Sequence, residues 1–153
     1  MRALHLLKTS TGAKWALQQM QELVRLGVEV HVALPAGGSM LQEYERIGVC
    51  IHTLNTDWTF REPWKLCQRV EGLRALVRRI RPDLIHSHFV GTTLTARLTF
   101  GRDGGVPRIF QVPGPLHLEF PLTRAGEVAT AGSRDWWVGS CRWTVARYRD
   151  LGI

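Results

Sequence analysis

Cysteine is sparse and poorly spaced for chemistry. Cys50, Cys67 and Cys141 form no C-x-x-C pair. That argues against a disulfide framework and a structural zinc site, and reduced thiols in a cytosolic protein are expected. Negative charge is also scarce: 13 Asp+Glu stand against 20 Lys+Arg, a formal net charge of +7. The few carboxylates are scattered, so no acid pair of the glycosidase kind is visible. The positive excess favours an anionic partner, which could be nucleic acid, a phosphorylated small molecule or an acidic membrane surface. No stretch approaches the length of a membrane span, and the apolar run in MRALHLLKTS is too short for a secretory signal. There is no G-x-x-x-x-G-K-[ST], no G-x-S-x-G and no H-E-x-x-H. The first turn, KTSTGAK, has one glycine where a dinucleotide fold has three, and Leu34-Pro35 ends the second strand without an acidic residue for a ribose. A nicotinamide cofactor is therefore not expected, and neither a metal nor any other cofactor is assigned.

What the chain does have is alternation. It is 153 residues long and 44% hydrophobic, enough for one core and one domain over residues 1–153. Apolar runs predict strands at Arg2–Leu7, Val28–Leu34, Val49–Leu54, Asp83–Ser87, Arg108–Val112 and Trp136–Gly139. Helices are predicted between them. Trp15–Leu26 turns Ala16, Met20, Leu23 and Val24 to one face and stops at Gly27. Ser39 with Gln42 reads as a capping box for a short helix to about Ile47. The helix begun by Pro63 buries Leu66, Val70, Leu73, Val77 and Ile80, and leaves Lys65, Arg69, Arg74, Arg78 and Arg79 outside. Thr92 or Thr93 caps a helix running to about Phe100. Ser140 caps a last helix, Arg142–Leu151, with Trp143, Ala146 and Tyr148 turned inward. Pro113–Arg134 shows no clear period and reads as a long functional loop. The expected fold is an α/β, doubly wound, mainly parallel, Rossmann-like sheet of about six strands in the order 3-2-1-4-5-6.

That order places a switch point between the first and fourth strands, where ligands bind beyond the strands' carboxyl ends. The stretch RPDLIHSHFVGTT puts His86 and His88 at the end of the fourth strand. His88 is expected to face the crevice, where a neutral ring could bond a sugar hydroxyl or a charged one a phosphate. His86, two residues earlier, points the same way and supports it from below. Thr11, Gly12 and Ala13 could offer backbone N–H groups to a phosphate at the start of the first helix, with Lys14 adding charge. Gly12→Val should then hinder that phosphate and change folding little. His5, His31 and His52 read as packed or edge residues of strands.

The order of these pieces resembles the amino-terminal half of a GT-B glycosyltransferase. RPDLIHSHF resembles the K-P-D-hydrophobic-I-H-x-H segment of the family-four, retaining enzymes, GVPRIFQVPG their fifth strand, and WWVGSCRWTVARYRDLGI the strand and helix that close that half. The resemblance spans essentially the whole chain. It departs where most members carry two glycines in the first loop and where many carry a histidine just after the fifth strand. Pro113 falls at that second place and His117 four residues on. The resemblance implies an acceptor-side domain of an enzyme that moves a sugar from a nucleotide-diphosphate donor to an acceptor hydroxyl. His88 and His117 would be its catalytic candidates, Thr11–Lys14 would meet the donor phosphate, and His86 and Glu119 would lie on the acceptor side. It implies a carboxyl-terminal donor-binding domain as partner, in the same gene or a separate chain, and an isolated chain without activity. A non-catalytic scaffold or partner subunit of a split transferase is the main rival. A basic nucleic-acid-binding module, suggested by charge with Trp58, Phe60 and Trp64, ranks below it. The same aromatics beside Arg61, Lys65, Arg78 and Arg81 suggest a cytoplasmic protein held peripherally on the inner membrane face.

Overall fold

A computed structural model describes residues 1–59 and 61–153. Phe60, one of the aromatics invoked for nucleic acid and membrane, lies outside the described residues. Six parallel strands form one sheet: β1 (Arg2–Leu6), β2 (Glu29–Leu34), β3 (Cys50–Thr53), β4 (Leu84–Ser87), β5 (Arg108–Val112) and β6 (Asp135–Gly139). Their order is β3-β2-β1-β4-β5-β6, the doubly wound arrangement expected from the alternation. Helices α1 (Lys14–Arg25), α2 (Leu41–Arg46), α3 (Leu66–Ile80), α4 (Val90–Phe100), α5 (Pro121–Thr130) and α6 (Arg142–Arg149) connect and cover the strands. No helix among the described residues is long and apolar enough to cross a membrane.

Each face of the sheet buries its own apolar layer. Leu4, Leu6 and Ile85 meet Leu73, Leu76, Val77 and Ile80 of α3 on one side. Leu7, Val30, Val32 and Leu34 meet Ala16 and Met20 of α1 and Tyr44 of α2 on the other. The pleat explains the split, because neighbouring side chains along a strand point to opposite faces. It also commits His5 of β1 to the α1 face, beside Leu7, and His86 and His88 to that same face, opposite Ile85.

Several local expectations need correction. Ser39 forms no capping box: α2 starts at Leu41, and the Met40 N–H donates instead to the Ser10 carbonyl at 3.0 Å. Thr92 and Thr93 lie inside the first turn of α4, where the Thr92 hydroxyl accepts the Phe89 N–H at 3.3 Å. Cys141, not Ser140, precedes α6, whose buried residues are Thr144 and Tyr148, while Trp143 and Ala146 are exposed. Arg69 is not on a solvated face. It is 6% exposed and meets Glu62 at 3.1 Å.

The largest correction concerns Pro113–Arg134. It is not an irregular loop: a 3-10 turn over Leu116–Glu119 leads into α5, with Pro121 at the start, where proline costs nothing. The residue α5 buries completely is Glu127. Its carboxylate lies 3.1 Å from the Arg97 guanidinium of α4, with both side chains at 0% exposure, and it accepts Trp137 Nε1–H at 2.8 Å. Arg97 also approaches Asp135 at 3.4 Å, and Arg108 holds Asp135 at 2.8 and 3.1 Å. Three acidic–basic contacts under the β5–β6 edge thus tie α4, α5, β5 and β6 together.

Candidate functional site

At the carboxyl ends of β1, β4 and β5, where the winding reverses, the surface opens into a crevice of about 760 Å³. Lys8 enters from the end of β1, Phe89, Val90 and Gly91 from the end of β4, and Pro113 and Gly114 from the end of β5. The loop after β3 brings Asp57, and the turn before α5 brings His117. This is the place that the strand order predicts for a ligand.

Its polar groups are few and convergent. Asp57 is half-buried, and desolvation pushes its carboxyl up from the usual range, with Lys8 and then Arg69 pulling it back. Lys8 Nζ lies 4.6 Å from the Phe89 ring centre, a cation–π contact. Among the described residues no carboxylate lies within ion-pair distance of Lys8 or Arg61. His117 Nε2 is 2.8 Å from the Tyr148 hydroxyl. Burial holds its ring below the usual histidine range, against the pull of Glu127 and a Gly114 backbone bond. His117 is therefore neutral at pH 7, able to donate or accept but not to act as a cation. Asp57 was invisible in the sequence, since a lone aspartate in a polar loop carries no signal.

Gly91 makes room for this arrangement. A Cβ on Gly91 would lie 2.2 Å from Asp57 Oδ1 and 2.3 Å from the Trp58 carbonyl oxygen. Gly91→Ala should therefore displace the β3–α3 loop, costing about 1–3 kcal/mol as an overpacked contact. Denaturant melts of the variant check this, and unchanged stability would mean that the loop yields freely.

The residues expected from the sequence are divided by the structure. His117 lines the crevice. Glu119 turns the other way and pairs with Arg147 at 2.7 Å. His86 and His88 do not open to the crevice: they are 6% and 0% exposed, under Trp15, whose ring centre is 5.0 Å from that of His88. Their shared side is as expected, with ring centres 4.3 Å apart. A third ring joins them. His5 Nδ1 and His88 Nε2 are 2.9 Å apart, and His5 is paired in register with His86 across β1 and β4. Burial, first, and the neighbouring rings hold His5 and His88 well below the usual range; burial brings His86 down to about 4, against a bond from Gln111. All three are neutral at pH 7. Ligand atoms of the three lie within 4.8 Å of one another, the one such His/Cys/Asp/Glu group among the described residues. Holding a metal ion there would require breaking the His5–His88 contact.

Thr11, Gly12, Ala13 and Lys14 do not line the crevice. The Thr11 N–H already donates to Thr9 Oγ1 at 3.0 Å. The Gly12 and Ala13 N–H groups make no hydrogen bond among the described residues. Both residues are left-handed, at φ 74° and 55°. A side chain on Gly12 would meet no protein atom, so within the fold the cost of Gly12→Val is backbone strain at a positive φ. The expectation of little effect on folding is wrong for a β-branched residue at that φ.

Residues 12–150 match the model of Glycosyltransferase Family 4. Among solved structures, the UDP-GlcNAc 2-epimerase of Neisseria meningitidis bound to UDP-GlcNAc superposes with a TM-score of 0.62 at 15% identity, covering 100% of this chain and 43% of that one. The glycosyltransferase SsfS6 of Streptomyces sp. SF2575 superposes at 0.52 and 18% identity, covering 85% and 44%. These likenesses are of fold. The crossover junction endodeoxyribonuclease RuvC of Chloroflexus aurantiacus is 33% identical over 89 residues, covering 56% of this chain and 54% of that protein. This chain thus spans about half the length of that relative and less than half of each superposed structure. Metal-assisted cleavage of a phosphodiester needs hard oxygen ligands for its ions. Among the described residues the one group of three or more His, Cys, Asp or Glu placed to hold a metal ion is all histidine.

Proposed function

This chain belongs to glycosyltransferase family 4, and on that premise we propose that it is the acceptor-side half of a retaining enzyme that moves a sugar from a nucleotide-diphosphate donor to an acceptor hydroxyl. The observation that carries the reading is the crevice at the switch point, which combines one carboxylate, one neutral imidazole and two cations against an apolar wall. In this reading Asp57 accepts the hydrogen bond of the acceptor hydroxyl. His117, fixed by Tyr148, bonds the sugar. Lys8 and Arg61 offset anionic charge. The free N–H groups of Gly12 and Ala13, with Lys14, stand ready for the donor phosphate on the other side of Lys8. His88 and His86 act from below, by holding the end of β4 against β1. The donor is a substrate, and the donor-binding half is the partner. Work on the cytoplasmic face of a membrane fits the exposed Trp64 and the basic face of α3.

A transfer assay on the chain joined to its donor-binding half tests this. Asp57→Asn and His117→Ala should each lower kcat about a hundredfold, the usual scale for one positioned proton-handling group. The chain alone should transfer nothing. A few charge-assisted hydrogen bonds contribute about 1.5–3 kcal/mol each, and immobilising a ligand removes much of that, so calorimetry should find donor affinity no better than about millimolar. Micromolar donor binding or transfer by the chain alone would overturn the half-enzyme reading. A completed complex indifferent to both substitutions would favour a scaffold. The RuvC likeness and the charge of +7 favour one rival specifically, and steeply salt-dependent, sequence-blind DNA binding would support it.

A further inference from the structure

The crevice is more apolar than a site for a free sugar needs to be, and its apolar surface does not stop at the rim. Phe89, Val90 and Leu94 line the interior. Leu116 and Phe120 line it too and are 74% and 65% exposed. Large apolar side chains are thus left in water along one path that leads inward. An isolated exposed leucine means little, but a contiguous patch that enters a cleft marks a binding surface. Lys8 and Arg61 stand in the same crevice with no carboxylate within ion-pair distance among the described residues, whereas Arg69, Arg97 and Arg108 nearby are all paired. An apolar ramp with two cations that form no ion pair among the described residues, Lys8 over the Phe89 ring and Arg61, complements a molecule with an apolar chain and an anionic head.

We propose that the acceptor of this site is an anionic amphiphile, a long-chain lipid carrying a phosphate or a similar acidic group, with its chain along Leu116 and Phe120 and its head between Lys8 and Arg61. This rests on the reading of the crevice as the acceptor side, and it can fail while that reading stands, if the acceptor is water-soluble. The occupant is a single molecule in the crevice and not a membrane surface, because the apolar path turns inward at Phe89 and Leu94.

The test is calorimetric titration of the chain with decyl phosphate below its micelle concentration, beside decyl glucoside and inorganic phosphate. Decyl phosphate should bind with one site per chain. The double variant Leu116→Ser, Phe120→Ser, both exposed and so of small consequence for folding, should weaken it about tenfold, as should Lys8→Ala with Arg61→Ala. Equal binding of inorganic phosphate would leave only a phosphate site and overturn the proposal. Equal binding of decyl glucoside would remove the anionic head. Sedimentation with acidic vesicles but no binding of monomeric decyl phosphate would show the ramp to be a membrane surface, and would overturn the proposal too. The transfer assay with Asp57→Asn reports separately on the glycosyltransferase reading, so the two can fail independently.

Discussion

Glu127→Ala should lower the stability of the domain by about 3–5 kcal/mol, enough to leave much of the protein unfolded at 37 °C. The reason is what the substitution leaves behind. Arg97 is completely buried, and a guanidinium cannot neutralise itself by losing a proton. With Glu127 gone, its nearest remaining carboxylate is Asp135 at 3.4 Å, which is already engaged by Arg108 at 2.8 Å. Trp137 Nε1 loses its acceptor as well. A buried ion pair replaced as a unit behaves differently, since both desolvation costs vanish together. The double variant Arg97→Met, Glu127→Leu should therefore be more stable than Glu127→Ala alone. Urea denaturation of the two variants measures this. If the single variant lost less than about 1 kcal/mol, or the double variant lost more than the single one, the pair would not carry the packing of α5.

That pair also explains why α5 was hidden in the sequence. Strand–helix alternation is written in apolar residues, and the order β3-β2-β1-β4-β5-β6 follows from it with little help. Helix α5 turns a carboxylate inward and leaves Leu122 and Val128 outside, the reverse of the usual pattern. A search for apolar periodicity reads such a segment as loop. Arg69 was misplaced for the same reason, being a charged residue buried through its partner Glu62. The histidines show a different limit. His86 and His88 are two apart on one strand, so their common side is legible from the pleat. The third ring comes from β1, and only the register of β1 on β4 brings His5 opposite His86. That register is knowable once the strand order is accepted, so His5 could have been found. Asp57 could not, because its role comes from the space that Gly91 leaves for it.

The three buried histidines should make the fold fail in mild acid. The direction follows from linkage. Each ring is held below its ordinary pKa in the folded protein, so between about pH 6.5 and the folded value the unfolded chain binds more protons. Stability present at neutral pH is therefore lost as pH falls through this window, which for His86 extends down to about 4. Each ring that stays neutral removes about 1.4 kcal/mol per pH unit below 6.5. His5 and His88 act in the same sense as His86, so the losses of the three rings add as the pH falls. His117 and His52, also lowered chiefly by burial, add in the same sense. The carboxylates that the fold holds low, Glu22, Glu29, Glu62 and Asp103, contribute only further down, once their unfolded counterparts begin to protonate. The interval from pH 6 to 5 therefore isolates the histidines. Denaturant titrations across it should show stability falling steadily as the pH is lowered. In His86→Leu, whatever its stability at pH 7, the slope should fall by about 1.4 kcal/mol per pH unit, because one proton fewer is taken up on unfolding. A stability flat across this interval, or a His86→Leu slope equal to that of the parent, would mean that the rings are charged in the folded protein and that the cluster between β1 and β4 is not the neutral network that its burial requires.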